Sequence, residues 1–302
     1  MVKPTIKSKF AKAKDNTKLQ SKPIKQILPN ALYLVATPIG NLGDITKRAI
    51  EIFTNADLIL AEDTRVTRKL CSFFGIENKI WRADEEATPN AIKVAIETLQ
   101  SGGAVAFAPD AGTPSISDPG QRLAAAVIDA GFEVYAAPGA SSVLNALSVS
   151  GFDVRQFAFL GFVPNKSGAR KQFLSDAANL PLSLVMFETA PRLIASLKDM
   201  LSAIGNRNAM VSRELTKMYE EKKRGSLGEL LLHYEINGAP KGEIVIVIER
   251  AQEIKDNPNN QELETLIIEA LKTNSVKDAA SLIAKQTGLN RKALYELALK
   301  LK

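Results

Sequence analysis

Six short stretches of the 302-residue sequence have the make-up of ligand-binding loops: ATPIGNLGD (36–44), AEDTR (61–65), APDAGTPSISDPG (108–120), APGASS (137–142), FETAPR (187–192) and SRELTK (212–217). All are polar, and most are rich in glycine, proline, serine or acids. Glycine has no side chain to block close approach, so loops of this kind let backbone amides and carbonyls reach a ligand. Each one alone has a plain structural reading, because strand-to-helix connections need turn and capping residues anyway. Six at one expected sheet edge point to a binding cleft. The absences narrow its chemistry. No G-x-G-x-x-G follows the first apolar run and no G-x-x-x-x-G-K-[ST] occurs, so neither a dinucleotide fingerprint nor a P-loop is supported. The single histidine, His233, reads as a surface or half-buried helix residue, which excludes a histidine-based triad or a histidine-rich metal site; no metal is expected. Cys71, inside KLCSFF, reads as a core residue. Carboxylates, lysines and backbone dipoles remain, an inventory that suits a transfer reaction driven by positioning.

The elements that must hold these loops are legible in the hydrophobic periodicity. ALYLVA (31–36), DLILAE (57–62), AVAFAPD (104–110) and FEVYAAP (132–138) are strand candidates, separated by helical patterns over 44–55, 64–75, 88–103 and 120–131. Strands alternating with helices predict a parallel sheet covered on both faces. Ligands in such sheets bind beyond the carboxyl ends of the strands, where the polar loops fall. A second set follows: strands over 157–162, 182–188, 209–214 and 243–249, helices over 166–178, 191–204 and 226–235. After a polar stretch, NPNNQE (257–262), come three short helical patterns over 262–272, 276–286 and 290–300. The expected organisation is a basic tail (1–29), an N-terminal α/β domain (30–150), a C-terminal α/β domain (151–252) and a helical unit (260–302).

Composition sets further bounds. The net charge of +6 belongs to the start of the chain: residues 1–29 hold eight lysines and one acid, Asp15, leaving the other 273 residues near neutrality. The low apolar content of that tail predicts disorder, and its charge suits an electrostatic arm for RNA phosphates. One cysteine cannot form an internal disulfide, no apolar run approaches the roughly 20 residues of a membrane span, and no secretory h-region opens the chain. The expectation is a cytoplasmic protein without a membrane partner.

The motifs at the strand ends resemble those of the tetrapyrrole (corrin/porphyrin) methylase superfamily, the class III methyltransferases, and within it the branch acting on the cytidine 2′-hydroxyl of 16S rRNA. The resemblance is carried by LYLVATPIGNLGDIT (32–46), AEDTR (61–65), DAGTPSISDPG (110–120), PGASSVLNALSVSG (138–151), FLGFVP (159–164), FETAPR (187–192), SRELTK-YE (212–220) and KGEIVIVIE (241–249). It implies two α/β domains with S-adenosyl-L-methionine in a cleft between them, a 16S rRNA substrate within the 30S subunit, and a homodimer. Carried over by motif, it implies cofactor contacts from Pro38, Gly40 and Asp44, from Asp110, Gly112, Thr113 and Ser117, and from Ser141 and Ser142. Related RNA enzymes often carry Ser-x-His after the F-x-E. This chain has Thr189, Ala190 and Pro191 there, so no role for that histidine is carried over.

A ribose hydroxyl is a poor nucleophile at neutral pH and must be aligned and relieved of its proton. Glu188 and Glu214, each directly after an apolar strand, are the candidate proton acceptors. Arg192 and Lys217, three or four residues beyond, are candidate RNA contacts; the competing reading is that Glu188–Arg192 and Glu214–Lys217 are structural ion pairs, and Asp63 with Arg65 carries the same ambiguity. The C-terminal helices around TGLN, with Ala279 and Ala280 facing inward, resemble a helix-turn-helix. Lys285, Arg291, Lys292 and Lys300 would be its phosphate contacts. Two rivals stay open: a methylase of a tetrapyrrole intermediate, and a non-catalytic ribosome-binding module.

Overall fold

The computed structural model describes residues 27–178, 180–251, 260–272, 274–287 and 289–301. The lysine-rich residues 1–26 and residues 257–259 of the polar stretch 257–262 lie outside them. The chain divides into two compact units, one of residues 31–37 and 45–139 with the start of the chain, the other of residues 38–44 and 140–302. Among the described residues no helix is long and apolar enough to cross a membrane.

The first unit runs β1 (Ala31–Val35), α1 (Lys47–Asn55), β2 (Leu58–Ala61), α2 (Thr64–Phe73), β3 (Ile80–Arg82), α3 (Thr88–Gln100), β4 (Val105–Ala108), α4 (Gly120–Asp129) and β5 (Glu133–Ala137). Its sheet has the order β3-β2-β4-β1-β5 and every pairing is parallel, as the strand–helix alternation predicts. The central strands read as unbroken apolar runs because both faces are covered. Ile52 and Phe53 of α1 and Leu70 and Cys71 of α2 pack on one face; Ala95 and Leu99 of α3 and Leu123 and Val127 of α4 pack on the other. Cys71 is a buried core thiol, as its apolar setting predicts. Strand β3, with two exposed residues of three, is too short and polar to register as a strand in sequence.

The second unit contains α5 (Ser142–Ser150), β6 (Phe157–Phe162), α6 (Ser167–Ala178), β7 (Ser183–Thr189), α7 (Leu193–Ile204), β8 (Asn208–Arg213), β9 (Glu221–Ser226), α8 (Leu227–Asn237) and β10 (Glu243–Ile248), then α9 (Asn260–Leu271), α10 (Val276–Thr287) and α11 (Arg291–Leu301). Two elements escape the sequence reading. Helix α5 follows the APGASS loop over residues to which the sequence reading assigns no element, and β9 (EKKRGS) has no apolar alternation to announce it. Strand β9 is an edge strand whose charged side chains protect its open side. The sheet order is β6-β7-β10-β8-β9, and it is mixed: β6 and β7 are parallel, β10 is antiparallel to β7 and β8, and β9 is antiparallel to β8. The carboxyl ends of β6, β7 and β8 therefore share one edge with the amino end of β10. One face packs against α6, α7 and α8, the other against α5 and Ile39. The last three helices enclose a core of their own, built on Ile267, Ala279, Ala280, Ile283, Leu294 and Ala298, with both alanines turned inward as expected.

Candidate functional site

In the first unit the loops after β1, β2 and β4 are stitched together by backbone and carboxylate bonds. The Asp110 amide donates to Glu62 Oε2 (3.0 Å), and the Asp63 amide donates to Asp110 Oδ1 (2.9 Å), so each strand end orients the other's carboxylate. Thr37 and Gly112 exchange backbone bonds of 2.9 and 3.0 Å, and the Thr37 hydroxyl donates to the Pro109 carbonyl (3.1 Å). Gly112 takes φ +82°, and Ser115 and Ser117 both take φ +71°, a left-handed conformation costly for side-chain-bearing residues. Asp118 holds that turn by accepting from the amides of Ser115 (3.0 Å) and Gly120 (2.7 Å). Together these bonds display Asp110, Gly112, Thr113 and Ser117 on one rigid loop.

An open pocket of about 440 Å³ beside it is lined by Glu62, Asp63, Thr64, Arg65, Arg82, Asp84 and Asp110. Its carboxylates are not alike. Asp63 caps α2 through the Arg65 amide (2.8 Å), and its bonds to the Arg65 side chain hold its carboxyl at about 2. Burial pushes Glu62 up; the Asp110 amide opposes this, while the charges of Asp110, Asp118 and Asp84 reinforce it. Asp110 is raised too, first by desolvation and then by the charge of Asp63, against the Asp63 amide and Arg65. The first unit thus offers two desolvated acceptors suited to hydroxyl donors or a cation.

In the second unit, Gly40 sits under Lys217. Gly40 takes φ +149°, and a Cβ there would lie 2.2 Å from Lys217 Cγ, so only glycine lets the lysine stem lie flat on this loop. The Lys217 ammonium is 3.0 Å from Glu214 Oε1 and 3.1 Å from Glu243 Oε2. Glu214 Oε1 also accepts from the Glu243 amide (3.0 Å), and Gly242 leaves room for the Glu214 side chain, which would stand 2.6 Å from a Cβ. The Glu243 amide, with Lys217 adding to it, holds Glu214 below the usual carboxylate range despite desolvation. Desolvation pulls Lys217 down, but its two carboxylates outweigh it and the ammonium is raised. Both groups stay charged through the neutral range.

Glu188 has a buried side chain whose oxygens are all taken: the Thr189 amide donates at 2.7 Å, the Ser196 hydroxyl makes a tight bond, and Arg192 Nε pairs at 3.2 Å. Arg192 in turn donates to Asn165 and to the carbonyls of Val163 and Pro164. The structure therefore realises both ion pairs, with Glu188 turned into the protein and Arg192 committed to the loop after β6. Ser141 caps α5 by accepting from the Leu144 amide (3.3 Å), and Ser142 opens that helix. Pro38 is half-buried, and Asp44 is exposed at the end of a 3₁₀ turn. Arg291 and Lys292 stand exposed in the first turn of α11, and Lys300 near its end. Lys285 belongs to α10, but its side chain lies outside the described residues. His233 is half-buried beside Asn237 and Tyr234.

Five contributors carry no signal in single-residue reading: Glu62, Asp118, Gly242, Glu243 and Thr216. Thr216 takes φ +66° with its amide fixed by Glu220 (2.7 Å), and its hydroxyl is shut from solvent without a hydrogen-bond partner among the described residues. An orphan of that kind suits a bound ligand.

Residues 31–231 match the family of Tetrapyrrole (Corrin/Porphyrin) Methylases, and residues 257–302 match the RsmI C-terminal HTH domain. The chain is 42% identical to the ribosomal RNA small subunit methyltransferase I of Mesorhizobium japonicum, over 95% of this chain and 96% of that one. It is 44% identical to the protein of the same name from Erythrobacter litoralis, over 91% and 96%. Among solved structures, cobalt precorrin-4 methyltransferase superposes with a TM-score of 0.53 at 16% identity, covering 73% of this chain and 95% of that one. Uroporphyrin-III C-methyltransferase of Thermus thermophilus, in complex with S-adenosylhomocysteine, gives 0.50 at 18%, covering 72% and 96%. On two matched domains and full-length identity above 40%, the chain belongs to the tetrapyrrole methylase family and, within it, to the ribosomal RNA small subunit methyltransferase I group.

Proposed function

We propose that this protein transfers the methyl group of S-adenosyl-L-methionine to the 2′-hydroxyl of a cytidine in 16S rRNA. The observation that carries the reading is end-to-end similarity to the small subunit methyltransferase I proteins, which takes in the C-terminal helical unit as well as both sheets. Cobalt precorrin-4 methyltransferase and uroporphyrin-III C-methyltransferase span under three quarters of this chain at 16% and 18% identity, which supports a shared fold and not a shared substrate.

The donor sets fit the cofactor. In the first unit, Asp110, with Gly112, Thr113 and Ser117 on the strained loop, is suited to the hydroxyls of an adenosine. In the second unit, Pro38, Gly40, Asp44, Ser141 and Ser142 are the positions that the family motifs assign to the cofactor, and the Thr216 hydroxyl, without a partner among the described residues, is suited to a ligand. When bound, the cofactor supplies an electrophilic methyl group on a cationic sulfonium. The protein's part is alignment. Glu188 is closed off by its own partners, so its role is to hold Arg192. The Glu214–Lys217 pair keeps fixed charges on both members, an arrangement that orients a hydroxyl or a phosphate but is poorly matched to exchanging a proton near pH 7. Arg291, Lys292 and Lys285 on the C-terminal helices are assigned to RNA phosphates. We place the reaction on the 30S subunit in the cytoplasm, with the enzyme as a homodimer, the state its family resemblance implies.

The test is methyl transfer from labelled cofactor to 30S subunits lacking the modification, followed by mass spectrometry of the digested rRNA. Labelled 2′-O-methylcytidine is the expected product. Cofactor binding with no transfer to rRNA would overturn the assignment.

A further inference from the structure

Strand β6 ends in an aromatic side chain that the fold takes trouble to aim. Phe159 pairs with Val185 and Phe162 with Phe187, so three steps along β6 span two along β7. The extra residue is a β-bulge, and Gly161 within it takes φ +65° with open space around its Cβ position. Strict alternation would send Phe162 to the face opposite Phe159. The bulge returns it to the same face, where Phe159 and Phe162 both meet Phe187 edge-on, at 4.9 and 5.3 Å between ring centroids. That face carries Ile39 and Val143, chain neighbours of Pro38 and Gly40 and of Ser141 and Ser142.

Phe162 itself is 53% exposed. A lone exposed phenylalanine is ordinary on any protein surface, but this one is rigidly mounted. Arg192, held by Glu188, binds the carbonyls of Val163 and Pro164. Arg170, paired with Asp199 at 2.7 Å, binds those of Pro164 (3.3 Å) and Asn165 (3.2 Å). Two anchored arginines thus fix the three residues after Phe162, and exposed Lys166 follows them. A flat hydrocarbon face fixed in water next to a cation fits a nucleotide: the base stacks on the ring and the phosphate meets the ammonium.

We infer that Phe162, aimed by the Gly161 bulge and backed by Phe187, is the stacking platform for the target cytosine, with Lys166 taking an adjoining phosphate. The inference rests on the RNA-methylating function proposed above. Its test compares Phe162→Leu, which keeps apolar packing on Phe187 but has no aromatic face, with Phe162→Tyr, which restores the face. Both are assayed for kcat and KM on unmodified 30S subunits, for S-adenosylmethionine affinity and for thermal stability. The leucine variant is expected to lose about 5- to 100-fold in kcat/KM, the tyrosine variant to stay within about twofold of the parent protein, and both to bind cofactor and unfold like the parent. Full activity in the leucine variant, an equal loss in the tyrosine variant, or a matching loss of cofactor affinity overturns it. Parent protein that methylates no rRNA overturns the functional reading, and the platform with it, and is distinct from parent activity that Phe162 does not affect.

Discussion

Asp110 shows how one side chain is bound by two demands. Its carboxylate is desolvated and faces Asp63, which raises its proton affinity in the folded state. A group raised in this way contributes stability that is complete below its unfolded value, near 4, and is lost as pH rises through the folded value. At pH 8 the parent protein therefore carries an unfavourable charge there. Asp110→Asn keeps an acceptor for the Asp63 amide and removes that charge. We expect ligand-free Asp110→Asn to melt at or slightly above the parent temperature at pH 8, with the difference narrowing as pH falls through the folded value towards the unfolded one, about 4, while cofactor affinity falls at least about tenfold, the scale of one lost charge-assisted hydrogen bond. Calorimetric unfolding at both pH values and titration with cofactor check the two halves separately; unchanged affinity would remove Asp110 from the site. Gly40 makes a second residue-level case. Gly40→Ala must displace the Lys217 stem and adopt an unfavourable φ, so it should cost methyl transfer about tenfold or more, the order of the 1–3 kcal/mol carried by backbone strain, in a protein that remains folded by circular dichroism.

Elements in the second unit depend on buried charge. Arg170 and Asp199 tie α6 to α7, with the Ser167 hydroxyl (2.9 Å) and Lys171 (3.6 Å) completing the carboxylate's partners. Burial pushes Asp199 up, but Arg170 and Ser167 outweigh it and hold it below its ordinary value. Its contribution is therefore present above the unfolded value and is lost as pH falls through the folded one. Truncating one member of such a pair strands the other charge. Asp199→Ala should destabilise the second unit by about 3–5 kcal/mol, measurable as a lower denaturant midpoint, and should loosen residues 164 and 165 because Arg170 also binds their carbonyls. An exposed pair offers a contrast: Lys47–Glu51 on α1, at 3.7 Å with the lysine side chain 92% exposed, should be worth under about 1 kcal/mol.

At the scale of the whole molecule, charge and core are distributed unevenly. About seven net positive charges reside in residues 1–29, and the helical unit at the other end has its own apolar core. Removing residues 1–29 should lower affinity for 30S subunits about tenfold or more at 50 mM salt and much less at 200 mM, because released counterions make phosphate binding steeply salt-dependent. Turnover at saturating substrate should hold. Removing residues 253–302 should leave cofactor binding intact while raising KM for 30S subunits. Binding isotherms at two salt concentrations and a cofactor titration of the truncated protein read these out, and a truncated chain with parent KM would leave the helix-turn-helix without a role in substrate capture.

The sequence by itself determined the parallel first sheet, the order of most strands and helices, and the polar loops at the strand ends. Those features follow from local periodicity and from the glycine, proline and acid signals of strand ends, which a chain carries wherever it folds. The inward alanines of the C-terminal helices, Ala279 and Ala280, were equally legible. Strand β9 was not: EKKRGS becomes a strand only because β8 presents it with a partner edge. The mixed hand of the second sheet was hidden for the same reason, since pairing direction is a property of neighbours. Only tertiary structure decided that Glu188 and Arg192 serve a buried anchor, that Gly40 exists to accommodate Lys217, and that Phe162 turns outward past its bulge. Each depends on contacts between residues far apart in the chain, where burial and hydrogen bonding fix a side chain's role and residue type alone leaves it open.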